Sequence, residues 1–123
     1  MLLDTYAWIG YFIGNSEGKK VEKILFDKDC YTSIVSLAEI IEWCLKRGLN
    51  PESYVDIVNK NSIIIFLDRL IAETAGKINF ENKKTIKNWG MVDSFIYATA
   101  RIYGIKVLTG DPHFKELDGV EMI

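Results

Sequence analysis

The stretch VDSFIYATARIYGIKVLTGDPHF, residues 92–114, decides the fold. Its first half spaces apolar residues at helical intervals and ends at Gly104, a typical helix stop. Its second half, IKVLTG, predicts a short buried strand, and the Asp-Pro pair that follows opens a further turn of helix. A helix that leads directly into an apolar strand is the repeating unit of a parallel α/β sheet.

The rest of the chain repeats this alternation. Further strands are predicted at MLLD, CYTSIV, SIIIFL and VEMI, with helices between them. The β-branched run in SIIIFL is typical of a strand buried on both faces. No repeat, low-complexity tract or linker divides the 123 residues. We therefore predict one domain, residues 1–123, with a three-layer α/β/α sandwich around a central, mostly parallel sheet.

Composition sets broad limits on function. Hydrophobic residues make up 49% of the chain and charged residues 26%, the balance of an ordinary globular protein. The net charge of −2 argues only weakly against a nucleic-acid partner, because bound metal ions would neutralise the charge of any acids that serve as their ligands. Cys30 and Cys44 form no CxxC motif, and no basic segment precedes the apolar N-terminus. We expect reduced thiols, a cytoplasmic location and no membrane span.

Acidic residues follow several of the predicted strands. Asp4 and Asp111 come directly after strands, and Glu39 lies in the first turn of the helix after another. The carboxyl ends of parallel strands meet at one edge of a sheet, where ligands bind. Asp93 begins a crossover helix, which could start at either edge. Each acid alone is also explained by helix capping, and Ser36-x-x-Glu39 fits a capping box.

Several carboxylates at one edge indicate a cation site. Crowded carboxylates repel one another and raise each other's pKa, so they normally need a positive ion. Oxygen ligands suit Mg²⁺ or Mn²⁺, whereas one histidine and two scattered cysteines offer little to zinc. Two such ions could activate a water and stabilise the leaving oxygen of a phosphodiester. The pattern therefore favours metal-dependent nuclease chemistry.

Three motifs resemble the PIN domain family over the whole chain. They are LLDTYAW, SLAEII and the pattern D-x-x-I-x-A-T-A-x-x-x-G-x-x-x-L-T-x-D-x-x-F across residues 93–114. The resemblance implies an endoribonuclease that depends on Mg²⁺ or Mn²⁺ and cuts RNA. It also implies an acidic quartet that serves as metal ligands and catalytic residues: Asp4, Glu39, Asp93 and Asp111. On this reading Asp93 lies at the carboxyl edge with the other three.

The resemblance extends to partners and supporting residues. Small single-domain members are commonly VapC-type toxins, which pair with an antitoxin protein and often form homodimers. Thr5 and Thr109 match hydroxyl positions that could orient the carboxylates or a metal-bound water. Tyr6 departs from the family, which often has a serine at that place, and this puts one hydroxyl contact in doubt.

The sequence leaves the roles of several other residues open. Glu42, one helical turn after Glu39, could compete as the ligand. His113 is interpreted as a local packing or capping residue rather than a general base. Trp89 is the tryptophan best placed to stack on a base, although core packing is the commoner role. The lysines before it, Lys83, Lys84 and Lys87, fit either a solvated loop or phosphate contact.

The sequence is also compatible with functions other than that of a toxin nuclease. The same fold could serve as a non-catalytic binding module, or as an RNA-processing nuclease without an antitoxin. A phosphoacceptor receiver domain has a similar size, but it needs a lysine after a late strand, and KVLTGD supplies none.

Overall fold

The computed structural model describes residues 1–123. The strands are β1 (Leu2–Leu3), β2 (Tyr31–Ser33), β3 (Ile63–Ile65), β4 (Val107–Thr109) and β5 (Val120–Met122). The helices are α1 (Thr5–Ile13), α2 (Ser16–Asp27), α3 (Ile34–Lys46), α4 (Pro51–Asn61), α5 (Arg69–Asn82) and α6 (Met91–Tyr103), and a 3₁₀ turn spans Pro112–Phe114. The strands form one sheet in the order β3-β2-β1-β4-β5, and every neighbouring pair is parallel. None of the six helices is long and apolar enough to cross a membrane.

Helices cover both faces of this sheet. Side chains alternate along a strand, so Leu2 and Val107 point to one face and Leu3 and Leu108 to the other. The first face packs against α5 and α6, and the second against α1, α2, α3 and α4. Each face therefore has its own apolar core. This arrangement confirms the predicted three-layer α/β/α fold.

The first two helices cross unusually closely. As the sequence indicates, α1 ends at Gly14, which adopts a left-handed conformation with φ of 75°. Asn15 then caps α2 by accepting a hydrogen bond from the Gly18 amide at 2.8 Å. A Cβ atom on Gly18 would overlap the carbonyl group of Gly10. The contact between α1 and α2 therefore requires glycine at position 18.

Strand β3 corrects one sequence-based prediction. It lies at the edge of the sheet and pairs only with β2, and the side chain of Ile63 is 61% exposed. The prediction that SIIIFL is buried on both faces is therefore wrong. A run of β-branched residues reports strand propensity, and it does not distinguish a central strand from an edge strand.

The start of α3 corrects a second prediction. Ser33, not Ser36, caps the helix, because its Oγ accepts a hydrogen bond from the Val35 amide at 3.3 Å. Ser36 lies buried inside the helix, and its hydroxyl has no hydrogen-bond partner. Glu39 accordingly sits in the second turn rather than the first. The predicted capping box is absent, and the Glu39 carboxylate is left available for contacts outside its own helix.

Replacement of Gly18 tests the close crossing. We expect Gly18→Ala to lower the free energy of unfolding by about 1–3 kcal/mol, because the added methyl group must push α1 and α2 apart. Gly76→Ala is the matched control, since a Cβ at this exposed site in α5 meets no atom within 4 Å. That change should stabilise the protein by about 0.5–1 kcal/mol through helix propensity. Urea unfolding of both variants measures the difference, and equal stabilities would contradict the close crossing.

Candidate active site

Four acidic side chains lie at the carboxyl edge of the three middle strands. Asp4 directly follows β1, Asp111 lies two residues beyond β4, and Glu39 stands on the helix after β2. Asp93 occupies the first turn of α6. The charges of Asp111 and Glu39 raise the pKa of Asp4, and the charge of Asp93 raises the pKa of Glu39. The fold therefore brings together all four acids that the resemblance implied.

Asp4 is the buried member of this group, with 6% of its surface exposed. Its Oδ1 accepts a hydrogen bond from the Ala7 amide at 2.9 Å, and its Oδ2 accepts one from the Thr109 hydroxyl at 2.5 Å. Burial raises the pKa of Asp4 to about 7 in spite of these two bonds. Without a nearby cation, about half of the Asp4 carboxyl groups are therefore expected to be protonated at neutral pH.

Two threonines hold the carboxylates in place. Thr109 accepts a hydrogen bond from the Asp111 amide at 2.9 Å while its own hydroxyl donates to Asp4. Thr5 donates to Glu39 Oε1 at 2.5 Å, across 34 residues of sequence. These are the two hydroxyl positions that the resemblance singled out. Each contacts an acid directly, which fixes the orientation of that carboxylate.

Asp93 and Glu39 are partly shielded from water. Burial raises the pKa of the Asp93 carboxyl and the neighbouring Asp111 charge adds to the effect, while the Gly90 amide, donating at 3.0 Å, and the His113 imidazole oppose it. Burial also raises the pKa of the Glu39 carboxyl, against the hydrogen bond from Thr5. Three of the four acids are thus held in surroundings that disfavour their negative charge.

His113 faces these carboxylates, a placement that the sequence analysis missed. Its Nδ1 lies 3.4 Å from Asp111 Oδ1 and 3.7 Å from Asp93 Oδ2. The same nitrogen is buried and has no hydrogen-bond partner. One feature of the sequence could have predicted this placement. His113 lies two residues after Asp111, in a turn short enough to bring both side chains to the same side.

Two other candidates lie outside the cluster. Trp89 is only 3% exposed; its indole N–H donates to Ser94 Oγ at 2.7 Å, and its ring packs on Phe114 with centroids 5.1 Å apart. Of the two roles that the sequence left open for Trp89, the structure therefore shows core packing, and the ring is not available to stack on a base. Glu42 pairs with Lys46 at 2.9 Å on an exposed helix face, which leaves Glu39 as the glutamate that contacts the cluster.

The donor set fits a divalent cation. Carboxylate oxygens of Asp93 and Asp111 and the Nδ1 of His113 all lie within 4.8 Å of one another. An ion about 2.1 Å from each ligand keeps neighbouring ligands roughly 3 Å apart and opposite ones roughly 4 Å apart. A cation would also offset the repulsion that raises the carboxyl pKa values. A single bound cation would therefore give the His113 nitrogen a partner and also offset the repulsion among the acids.

The pKa of Asp4 leads to a pH dependence of stability. The folded-state pKa of about 7 lies above the unfolded value of 3.8, so the folded protein binds the extra proton between them. Stability is then fully present at low pH and is lost as the pH rises through about 7. In EDTA, we expect Asp4 to lower the free energy of unfolding by about 2–3 kcal/mol between pH 5 and pH 8.

Asp4→Asn serves as the test, because asparagine caps a helix as well as aspartate does and carries no charge. Urea unfolding in EDTA should show a flatter pH profile for the variant than for the unaltered chain. Two parallel profiles would contradict the burial of a titrating carboxyl at this position.

Comparisons with known proteins agree with this geometry. A model of the PIN domain family matches residues 1–120. No curated protein sequence matches the chain. Among solved structures, a toxin–antitoxin complex from Klebsiella pneumoniae has a TM-score of 0.81 at 23% identity, covering 98% of this chain and 95% of that one.

Two further solved structures have the same fold. VapBC2 from Rickettsia felis, bound to a promoter DNA fragment, has a TM-score of 0.78 at 18% identity and covers 99% of this chain and 97% of its own. The Mycobacterium tuberculosis toxin VapC20, which cleaves the sarcin–ricin loop, has a TM-score of 0.79 at 18% identity, with 98% and 97% covered. Since the family model spans nearly the whole sequence and the fold agrees with it, this chain belongs to the PIN domain family.

Proposed function

We propose that this protein is a metal-dependent endoribonuclease that hydrolyses RNA phosphodiester bonds, and that it is the toxin of a type II toxin–antitoxin pair. The observation that carries the proposal is the meeting of four carboxylates and one imidazole nitrogen at the carboxyl edge of the sheet. Such a group of acids in partly buried surroundings needs a cation, and Mg²⁺ or Mn²⁺ suits it.

The positions of the four acids indicate a different role for each pair. Asp93 and Asp111 each have a carboxylate oxygen within 4.8 Å of the other and of His113, and they would hold the ion directly. Asp4 and Glu39 complete the quartet, each oriented by a threonine hydroxyl. A divalent cation supplies Lewis acidity, which acidifies a water and offsets the charge of the phosphate. The protein's own contribution is to fix the carboxylates before the substrate arrives.

A basic segment supports an RNA substrate. Lys83, Lys84 and Lys87 are exposed in the segment that leads to Asp93. Lys84 already pairs with Glu81 at 3.2 Å and lies over the Phe80 ring. Lys83 and Lys87 form no ion pair, so they are free to contact phosphates beside the acidic cluster.

An antitoxin and a second copy of the chain are the proposed protein partners. The solved structure from Klebsiella pneumoniae that shares this fold is a toxin–antitoxin complex by name. Large apolar side chains are exposed around β3 and α5, including Phe66 at 70% and Phe80 at 67%. Apolar residues left in water at this level are typical of surfaces that a partner covers.

Cleavage of RNA by the purified protein tests the proposed activity. We expect cleavage with Mg²⁺ or Mn²⁺, and a loss of at least about 100-fold with EDTA or in Asp93→Asn, because a neutral amide is a poor ligand for a hard cation. Glu73→Gln is the matched control and should retain full activity, since Glu73 pairs with Arg69 at 2.6 Å on an exposed face of α5.

Equal cleavage by the unaltered protein, by Asp93→Asn and in EDTA would identify a contaminant and reject the proposal. Metal binding without any cleavage would favour the alternative of a non-catalytic binding module.

Expression of the chain in a bacterial host tests the toxin assignment. We expect growth to stop on induction of the unaltered chain and to continue with Asp93→Asn. Co-expression of a small neighbouring gene should restore growth if that gene encodes the antitoxin. Active enzyme without any growth defect would instead favour an RNA-processing nuclease.

A further inference from the structure

We propose that His113 Nδ1 is a direct ligand of the active-site cation, together with Asp93 and Asp111, and that it makes the site prefer a divalent transition metal over Mg²⁺. This inference rests on the proposed function and names the metal class that the same site takes. It departs from the oxygen-only ligand set that the sequence indicates.

The distances fit a shared ion. Nδ1 lies 3.4 Å from Asp111 Oδ1 and 3.7 Å from Asp93 Oδ2. At those separations, with each donor about 2.2 Å from the ion, the donor–ion–donor angles would be roughly 100° and 115°, on either side of the tetrahedral value. The third separation, between carboxylate oxygens of Asp93 and Asp111, is within 4.8 Å, so the three donors lie close enough together to surround one ion with at most a small side-chain adjustment.

The spacing also disfavours a simple hydrogen bond. A protonated ring nitrogen would draw a carboxylate oxygen to about 2.7–2.9 Å, and both gaps here are longer. Without a proton, Nδ1 is a buried acceptor that faces two further acceptors and has no partner. Such an arrangement is costly unless a cation lies between the three atoms.

The backbone that carries the His113 ring is held by its surroundings. The His113 amide donates to Asp111 Oδ1 at 2.9 Å, and Pro112 opens the short turn that carries both residues. Phe114, next in sequence, is buried in the core against Trp89. Anchors on both sides of the histidine limit its freedom, as a metal ligand requires.

An imidazole changes which metals bind well. Mg²⁺ strongly prefers oxygen ligands and binds ring nitrogen weakly, whereas later divalent metals accept both. We therefore expect Mn²⁺ to bind more tightly than Mg²⁺. Loss of the imidazole should weaken Mn²⁺ binding by about 10- to 100-fold, the range found when groups that support a metal site are removed, and should change Mg²⁺ binding much less.

The chain offers a direct test, because His113 is its only histidine. Tag-free protein loaded with Mn²⁺ is measured by electron spin-echo envelope modulation, first unlabelled and then with ¹⁵N-histidine. We expect an imidazole ¹⁴N signal that the label replaces with a ¹⁵N signal. Titration with Mn²⁺ and Mg²⁺ is then compared between His113→Ala and Glu116→Gln, an exposed control that should bind both metals as the unaltered protein does.

Two results would overturn the inference in different ways. Mn²⁺ binding that depends on Asp93 but shows no histidine nitrogen signal would reject His113 as a ligand and leave the proposed function standing. No Mn²⁺ binding at all would reject the proposed metal site together with this inference. The labelling experiment uses the unaltered chain, so a folding defect in His113→Ala does not affect it.

Discussion

The buried carboxylate of Asp4 is the constraint on which the site depends. It stands at the end of β1, the central strand of the sheet, and bonds both the first turn of α1 and Thr109 on β4. Thr109 in turn accepts a hydrogen bond from the Asp111 amide, so its hydroxyl links two acids that come from opposite ends of the chain. This geometry holds a carboxyl in a place where its charge is disfavoured. A cation relieves that cost, which links the fold to the proposed chemistry.

Part of this site follows from sequence alone. Asp4 and Asp111 could be placed because each follows a strand, and parallel strands carry such residues to one edge. Asp93 needed the family resemblance, since a crossover helix can begin at either edge. Glu39 was placed at this edge because its helix follows a strand. The capping box that offered a structural explanation for it is absent, because Ser33 caps α3 and Thr5 binds the glutamate. Strand order, which left β3 at the edge, depends on long-range pairing that no local pattern records.

The turn after β4 shows why the remaining residues escaped prediction. The direction of the His113 side chain depends on the conformation of a three-residue 3₁₀ turn, and that conformation is fixed by tertiary packing. Trp89, for which the sequence left both base stacking and core packing open, packs against Phe114 of this turn. Its ring thus belongs to the core beside the cluster rather than to a substrate-binding surface. Burial of that kind is decided by the whole fold rather than by neighbouring residues.

The central claim is that these side chains converge in order to hold a divalent cation. A crystal structure of the protein grown with Mn²⁺, with anomalous differences recorded for manganese, tests it most directly. We expect a peak about 2.2 Å from donor atoms of Asp93, Asp111 and His113, at the carboxyl edge of the sheet. An ordered, empty cluster at saturating Mn²⁺, or a peak that lies only elsewhere on the protein, would contradict it.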